Sequence, residues 1–385
     1  MLLDSLYKNF NGVNIAHVIS TFPPHVGGMG EIAYEELNRL NKKGVQVTVF
    51  TLKYKNIDYS NDTRLDFKIK RLKPWFKYGD AGFISRLFFK LKGFDLIHLH
   101  YPFYGSAQCV WWSKVFRKQK YVLTYHMDMQ SSGLKKFLQK VYDFLWAFKI
   151  LNGAEKIFIV DKTLIQKSKY LKKIEKEKIT ILPNAVDMNT FSSWPQELKK
   201  NKLKHEKVIL FVGNVLPVKR LDLLFEVIKD YEDVKLLVVG GGYDVEKYKR
   251  LAKNLDVLEK VSFEGFCIDK RQLANYYNLV DVTVIPSDYE SFSLVSLEAL
   301  ACECPVVVSS SIPLAKEIEE AFAGFSFKKG NVEDLKQKIS KVLNLESEEN
   351  EQLGKNGRAL VQEKYQWENH INKLIEMYKD VISKK

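Results

Sequence analysis

Short apolar runs alternate with amphipathic stretches along the whole chain. In the first half the runs fall at 14–20, 45–52, 67–72, 95–100, 121–125, 156–160 and 179–182, and they read as strands. Between them, 30–41 and 111–118 have helical spacing. The second half repeats the scheme, with strands at 208–212, 234–239, 261–265, 281–285 and 305–309. Helices are predicted there at 221–229, 245–255, 271–278 and 294–301. Such alternation predicts an α/β fold, a parallel sheet wrapped by helices once in each half. The stretch 191–207 is polar, lysine-rich and contains Pro195, so it reads as a linker between domains at 1–190 and 208–364. Residues 346–351 form an acidic patch, a solvated helix or loop, and 371–378 a last amphipathic helix within a closing segment at 365–385.

Composition narrows the class. A chain of 385 residues exceeds one compact core and suits two, and 46% hydrophobic with 28% charged residues is an ordinary globular balance. Apolar runs are broken well short of a membrane span. The first twenty residues lack the basic, apolar, small order of a signal peptide, so a cytoplasmic protein is expected. Cys109, Cys267, Cys302 and Cys304 are too scattered for a disulfide framework. Cys302 and Cys304 have no second pair or nearby histidine to complete a metal site, and buried thiols account for them better.

The net charge of +13 is uneven. Residues 1–190 hold 31 Lys/Arg against 16 Asp/Glu, whereas 191–385 hold 29 against 31. The basic half suggests an anionic partner. A generally lysine-rich composition is the bland account, but the second half has a similar number of basic residues and balances them. No nucleic-acid-binding module accompanies the charge, so nucleic acid is not expected. Three basic-aromatic stretches stand out at 83–92, 111–118 and 134–148, the last with Lys135, Lys136, Lys140, Phe144, Trp146 and Phe148. They either lie in a lipid interface or pack their rings on the sheet and show lysines to water; both readings stay open.

The densest candidate chemistry is Tyr289-Glu290-Ser291-Phe292-Ser293-Leu294, which follows a buried strand and leads into the helix carrying Glu298. Open α/β sheets bind ligands at such strand-to-helix crossovers. Glu290 is expected in the loop and Glu298 about two turns into the helix. A helix N-terminus suits phosphate and flanking carboxylates suit sugar hydroxyls; a nucleotide sugar needs both. Other loops fit the same ligand: Gly27-Gly28-Met29-Gly30 after the first strand, Gly213 through Lys219-Arg220 in the second half, His126 after Tyr125, and Pro183-Asn184 where the first domain closes. Taken singly, each has an ordinary structural reading: solvated glutamates, surface lysines, a tight glycine turn, a hydrogen-bonded histidine. His98 and His100 alternate on one strand face; metal ligation is conceivable from their spacing, but packing at a sheet edge is the simpler account. The Gly240–Gly242 turn reads as structural.

In this order the segments resemble the family 4 retaining glycosyltransferases, which have the GT-B architecture of two facing Rossmann-like domains with a deep cleft. The likeness runs from Gly27-Gly28 through His126, Pro183-Asn184, Lys219, Gly240-Gly241-Gly242 and Glu290…Glu298 to Tyr365-Gln366-Trp367-Glu368, which looks like the segment returning to the first domain. The resemblance implies that Glu290 holds the transferred sugar, Glu298 the ribose, and the backbone of Ser291, Phe292, Ser293 and Leu294 the diphosphate. Lys219, with Arg220 and Gly213 beside it, would neutralise the leaving diphosphate. His126 would face the reacting centre, Gly28 would border phosphate and acceptor, and Asn184 would shape the hinge-side wall. The chain departs from the pattern at Ser293 and Ala185, where glycine is usual, and at Asn214, where arginine is common. The implied activity is hexosyl transfer from a nucleoside-diphosphate sugar to a saccharide or lipid-linked acceptor, in polysaccharide or glycolipid synthesis and peripheral to a membrane. No Asp-x-Asp triplet is present, so no metal and no cofactor are expected. A non-catalytic nucleotide-sugar-binding regulator and a GT-B nucleotide-sugar epimerase are the alternatives.

Overall fold

The structure, a computed structural model, describes residues 12–25, 27–55, 57–128, 133–195 and 207–384. The chain forms two compact units, Met1–Pro183 with His370–Lys385, and Asn184–Asn369. Of the expected linker at 191–207, residues 196–206 lie outside the described residues.

The first unit is built on β1 (Asn14–Val18), β2 (Gln46–Leu52), β3 (Lys68–Leu72), a small antiparallel hairpin of β4 (Phe76–Tyr78) and β5 (Ala81–Phe83), then β6 (Leu96–Tyr101), β7 (Tyr121–Tyr125), β8 (Ile157–Ile159) and β9 (Ile179–Ile181). The seven long-range strands form one parallel sheet in the order β3-β2-β1-β6-β7-β8-β9. Ile15, Val18, Ile97, Leu99, Val122 and Leu123 are fully buried, as the apolar runs predict for strands covered on both faces. Helix α1 (Gly28–Lys42) crosses from β1 to β2, and α2 (Ala107–Arg117) begins four residues before the predicted 111. Of the stretch 83–92 only Arg86–Lys90 is α-helical. The stretch 134–148 belongs to α3 (Gly133–Tyr142), one π turn at Asp143–Ala147 and the helix Phe148–Gly153.

One expectation is overturned here. His98 and His100 do not pack at a sheet edge: β6 is the central strand of seven, and both rings are buried. The sequence shows that they share a face; strand order is set by crossovers it does not show.

The second unit has β10 (Lys207–Val212), β11 (Val234–Val239), β12 (Val261–Gly265), β13 (Val282–Ile285), β14 (Val306–Ser309) and β15 (Gly324–Phe327), all parallel in the order β12-β11-β10-β13-β14-β15. Its relevant helices are α4 (Leu221–Ile228), α5 (Lys270–Leu279) and α6 (Leu294–Ala301), followed by α7 (Val332–Leu343) and α8 (Ser347–Lys364); the last helix, α9 (Trp367–Ser383), belongs from His370 onward to the first unit. β15 and α7 have no counterpart in the sequence reading. The acidic patch starts α8, where Glu346 and Glu349 form a reciprocal capping box that satisfies two otherwise unpaired N–H groups. In both sheets the strand order reverses direction beside the first strand of the unit, between β1 and β6 and between β10 and β13. Loops leaving the carboxyl ends of those strands diverge, which opens a crevice.

Candidate active site

The expected residues of the second unit gather at the β10–β13 crevice. After β10 the chain turns at Gly213, whose φ of 137° favours glycine, and makes a single 3-10 turn at Pro217–Lys219 before α4. A side chain on Gly240 would overlap the Gly213 carbonyl, so the Gly240–Gly242 turn is the floor of this loop. After β13 the chain passes Ser287 and Glu290 and enters α6 at Leu294.

The two loops meet through charge. Lys219 Nζ lies 2.8 Å from Glu290 Oε1, and Ser287 Oγ donates to the same oxygen at 2.9 Å. The Lys219 and Glu290 side chains are 23% and 10% exposed, so the pair is shielded yet reachable. Arg220 behaves differently. It occupies the left-handed region at φ 53°, a costly place for a non-glycine residue, and its guanidinium is held by Asp222 at 2.9 Å and Asp288 at 3.3 Å. Two carboxylates thus neutralise the cation that the sequence offered beside Lys219. Both aspartates line a hollow of about 520 Å³ with Arg220, Lys247 and Tyr248.

Ser293 is the N-cap of α6. Its buried hydroxyl accepts from the Ser296 N–H at 3.3 Å, so this side chain turns into its own helix rather than over the loop. Phe292 is buried with its ring edge-on to Tyr365 at 5.9 Å, which leaves its backbone as the group available to a ligand. Ser291 and Leu294 are half-buried at the same turn. Glu298 is the fifth residue of α6, little more than one turn in, not two as expected. Tyr277 Oη on α5 donates to its Oε2 at 2.8 Å. Burial pushes the Glu298 carboxyl up to about 7, against the opposing pull of Tyr277 and Lys270. Tyr277 escaped the sequence reading because nothing marks one tyrosine among the apolar residues of an amphipathic helix. The Lys219–Glu290 contact was equally invisible, spanning 71 positions.

Of the other expected residues, Gly28 and His126 belong to the first unit and Asn184 opens the second. Gly28 is the first residue of α1, and a Cβ on Gly27 or Gly28 would meet nothing within 4 Å, so this loop presents open backbone. Gly30 instead packs against the Thr21 carbonyl. His126 follows β7 and is buried, with Nε2 3.2 Å from His100 Nδ1; burial lowers its pKa to about 4, so the ring is neutral. Asn184 starts the second unit, two residues before Val186, which pairs with Gln366.

Two family profiles match, that of the glycosyl transferases group 1 over residues 193–360 and that of glycosyltransferase family 4 over residues 26–190. The chain belongs to family 4 of the glycosyltransferases. It is similar to an uncharacterised glycosyltransferase of Methanocaldococcus jannaschii, 26% identical over 95% of this chain and 98% of the relative. It is also 25% identical to the N-acetyl-alpha-D-glucosaminyl L-malate synthase of Bacillus anthracis, over 93% of this chain and 95% of the synthase. In fold it resembles Anabaena HepE, solved in complex with UDP, with a TM-score of 0.78 at 14% identity over 95% of this chain and 100% of HepE. This glycosyltransferase is thus an enzyme of the GT-B architecture, with two Rossmann-like domains.

Proposed function

We propose that this glycosyltransferase moves a hexosyl group from a nucleoside-diphosphate sugar to a saccharide or lipid-linked acceptor, with anomeric configuration retained. The Lys219–Glu290 pair at the β10–β13 crevice carries the reading. As the sugar–phosphate bond breaks, negative charge gathers on the diphosphate, and a preorganised cation and free helix N–H groups lower the barrier. Lys219 and the start of α6 supply both; Glu290 takes sugar hydroxyls, and ionised Glu298 takes the ribose diol. Arg220, already neutralised, sets the shape of the loop. The departing phosphate accepts the acceptor's proton on the face it leaves, so no protein nucleophile is assigned.

No divalent cation is required for this step. Loss of activity in EDTA with rescue by Mg²⁺ would count against that. HepE was solved with UDP, so UDP-sugars head the donor panel, ahead of GDP- and ADP-sugars. Slow donor hydrolysis that vanishes in Lys219→Ala and Glu290→Ala supports transfer; tight binding with no turnover supports a regulator, and an altered sugar on intact nucleotide an epimerase.

The acceptor side is proposed to work from the cytoplasm at an anionic membrane face. Phe137, Phe144 and Phe148 point outward, Phe144 at 88% exposure, among Lys136, Lys140 and Lys149. A hollow of about 470 Å³ joins Phe144 and Phe148 to Lys140, Lys173 and a Lys169–Asp143 pair at 3.6 Å; Lys140 and Lys173 suit an acidic headgroup beneath apolar chains. No helix among the described residues is long and apolar enough to cross a membrane. Sedimentation with anionic liposomes is expected at low salt and is expected to fail for Phe144→Asp; wild-type protein left in the supernatant removes this reading.

A further inference from the structure

The first unit hides a polar cluster that the transfer reaction does not use. β1 carries His17 and β6 carries His98 and His100; the strands pair with His17 opposite His98. α1 lies over that face and turns Glu36 down onto it. All four side chains are buried, and one ligand atom from each lies within 4.8 Å of the others.

The arrangement sorts their atoms into an inner and an outer set. On the outside, His17 Nε2 is 3.4 Å from Tyr378 Oη, and His98 Nε2 is 2.7 Å from Thr124 Oγ1. His100 Nδ1 is 3.2 Å from His126 Nε2, and Glu36 Oε2 is 3.1 Å from His370 Nε2, whose Nδ1 reaches the Pro183 carbonyl at 2.7 Å. On the inside remain His17 Nδ1, His98 Nδ1, His100 Nε2 and Glu36 Oε1. His17 Nδ1 is 3.1 Å from His100 Nε2, and Glu36 Oε1 is 4.0 Å from His17 Nδ1 and 3.9 Å from His98 Nδ1. Glu36 Oε1 is buried with no hydrogen-bond partner. Tyr378 Oη, on α9, is 2.5 Å from His98 Nδ1, a hydrogen bond that a bound ion would replace.

An outer hydrogen bond on the far nitrogen of each ligating histidine is what fixes imidazole ligands around a metal. A tetrahedral zinc ion, with bonds of about 2.0–2.1 Å, sets its ligand atoms about 3.3 Å apart, and the inner atoms close to that spacing by shifts of about an ångström. Three imidazoles with one carboxylate select a borderline divalent ion over Mg²⁺ or Ca²⁺, which prefer oxygen. We propose that His17, Glu36, His98 and His100 bind one zinc-class divalent cation as a structural site. Four protein ligands leave no position for water, so the ion braces β1, β6 and α1. Through the outer set it also orients His126 and the carboxy-terminal helix. It is separate from the diphosphate chemistry, which the Mg²⁺ rescue above tests independently.

The test uses untagged full-length protein. Inductively coupled plasma mass spectrometry is expected to find about one zinc per chain after dialysis against a weak chelator. Stripped protein titrated with Co²⁺ is expected to develop the visible d–d bands of a tetrahedral nitrogen–oxygen site, saturating at one equivalent and reversed by Zn²⁺. Glu36→Gln and His98→Gln are expected to weaken binding at least tenfold, and Cys302→Ser with Cys304→Ser to leave it unchanged. Should the core variants not fold, the wild-type Co²⁺ spectrum decides alone. Folded wild-type protein that takes up no Co²⁺ or Zn²⁺ overturns the site, as do thiolate-to-cobalt charge-transfer bands lost in the cysteine variant.

Discussion

The two units share a parallel-sheet plan and put their polar groups in opposite places. In the second, Ile209, Leu236, Val282, Val284 and Val307 make a dry aliphatic centre, and the Lys219–Glu290 and Arg220–Asp222 pairs stand where the strands end. In the first, His17, Glu36, His98, His100, His126 and His370 are inside, while Phe137, Phe144 and Phe148 face outward. A charge at a sheet's rim can trade its partner for a ligand. A buried polar group must be satisfied by the fold itself, because an unmet donor or acceptor there costs a large share of net stability. Rim polarity therefore belongs to function and inner polarity to architecture.

That division can be broken experimentally, and the largest effect is expected at the rim. Lys219→Ala should slow donor turnover by about 10²–10³, read as nucleotide release at saturating donor. Its stability should move by no more than about 1 kcal/mol, since the pair is partly exposed. A fall in stability matching the fall in rate would erase the distinction. Inside the first unit the pattern should invert. Tyr378→Phe removes the hydroxyl between His17 and His98 and should cost about 1–3 kcal/mol in denaturant unfolding, with donor KM unchanged.

Glu298 sharpens the comparison because it has both characters, a rim position and a desolvated carboxyl. Its pKa of about 7 means that the ionised acceptor form is lost below neutrality. Donor Kd is expected to rise about tenfold between about pH 8 and pH 6 and to become flat in Glu298→Gln. Stability runs the other way. The folded state holds this proton to higher pH than the unfolded chain, so the contribution falls as pH rises from the ordinary carboxylate range to about 7 and is level above it. The smallest effect is expected at the cap: Ser293→Ala should lose about 1 kcal/mol, and Ser293→Gly a few tenths.

Legibility in the sequence followed the same division. Most strands of the second unit are rich in Val, Ile and Leu, and β11, β12 and α6 match their predicted bounds. Glu290 and Lys219 stood out because charge beside a glycine loop and a helix start is rare. β15 was missed because Gly324-Phe325-Ser326-Phe327 is only four residues long and holds no β-branched residue. The inner cluster was least legible. His98 and His100 were seen as a pair on one face, but His17 and Tyr378 come from positions 83 residues before His100 and 280 residues after His98. Periodicity reports which residues share a face; it carries nothing about which faces meet.

The Lys219–Glu290 bridge has a consequence for selectivity under the proposed reading. A free sugar that displaces Lys219 from Glu290 strands the ammonium, and a free phosphate that draws Lys219 away strands the carboxylate. A ligand carrying both groups gives each ion a replacement at once. The bridge then acts as a coincidence detector: it discriminates against the separate halves of the donor, abundant in any cell, without adding a single contact to the whole.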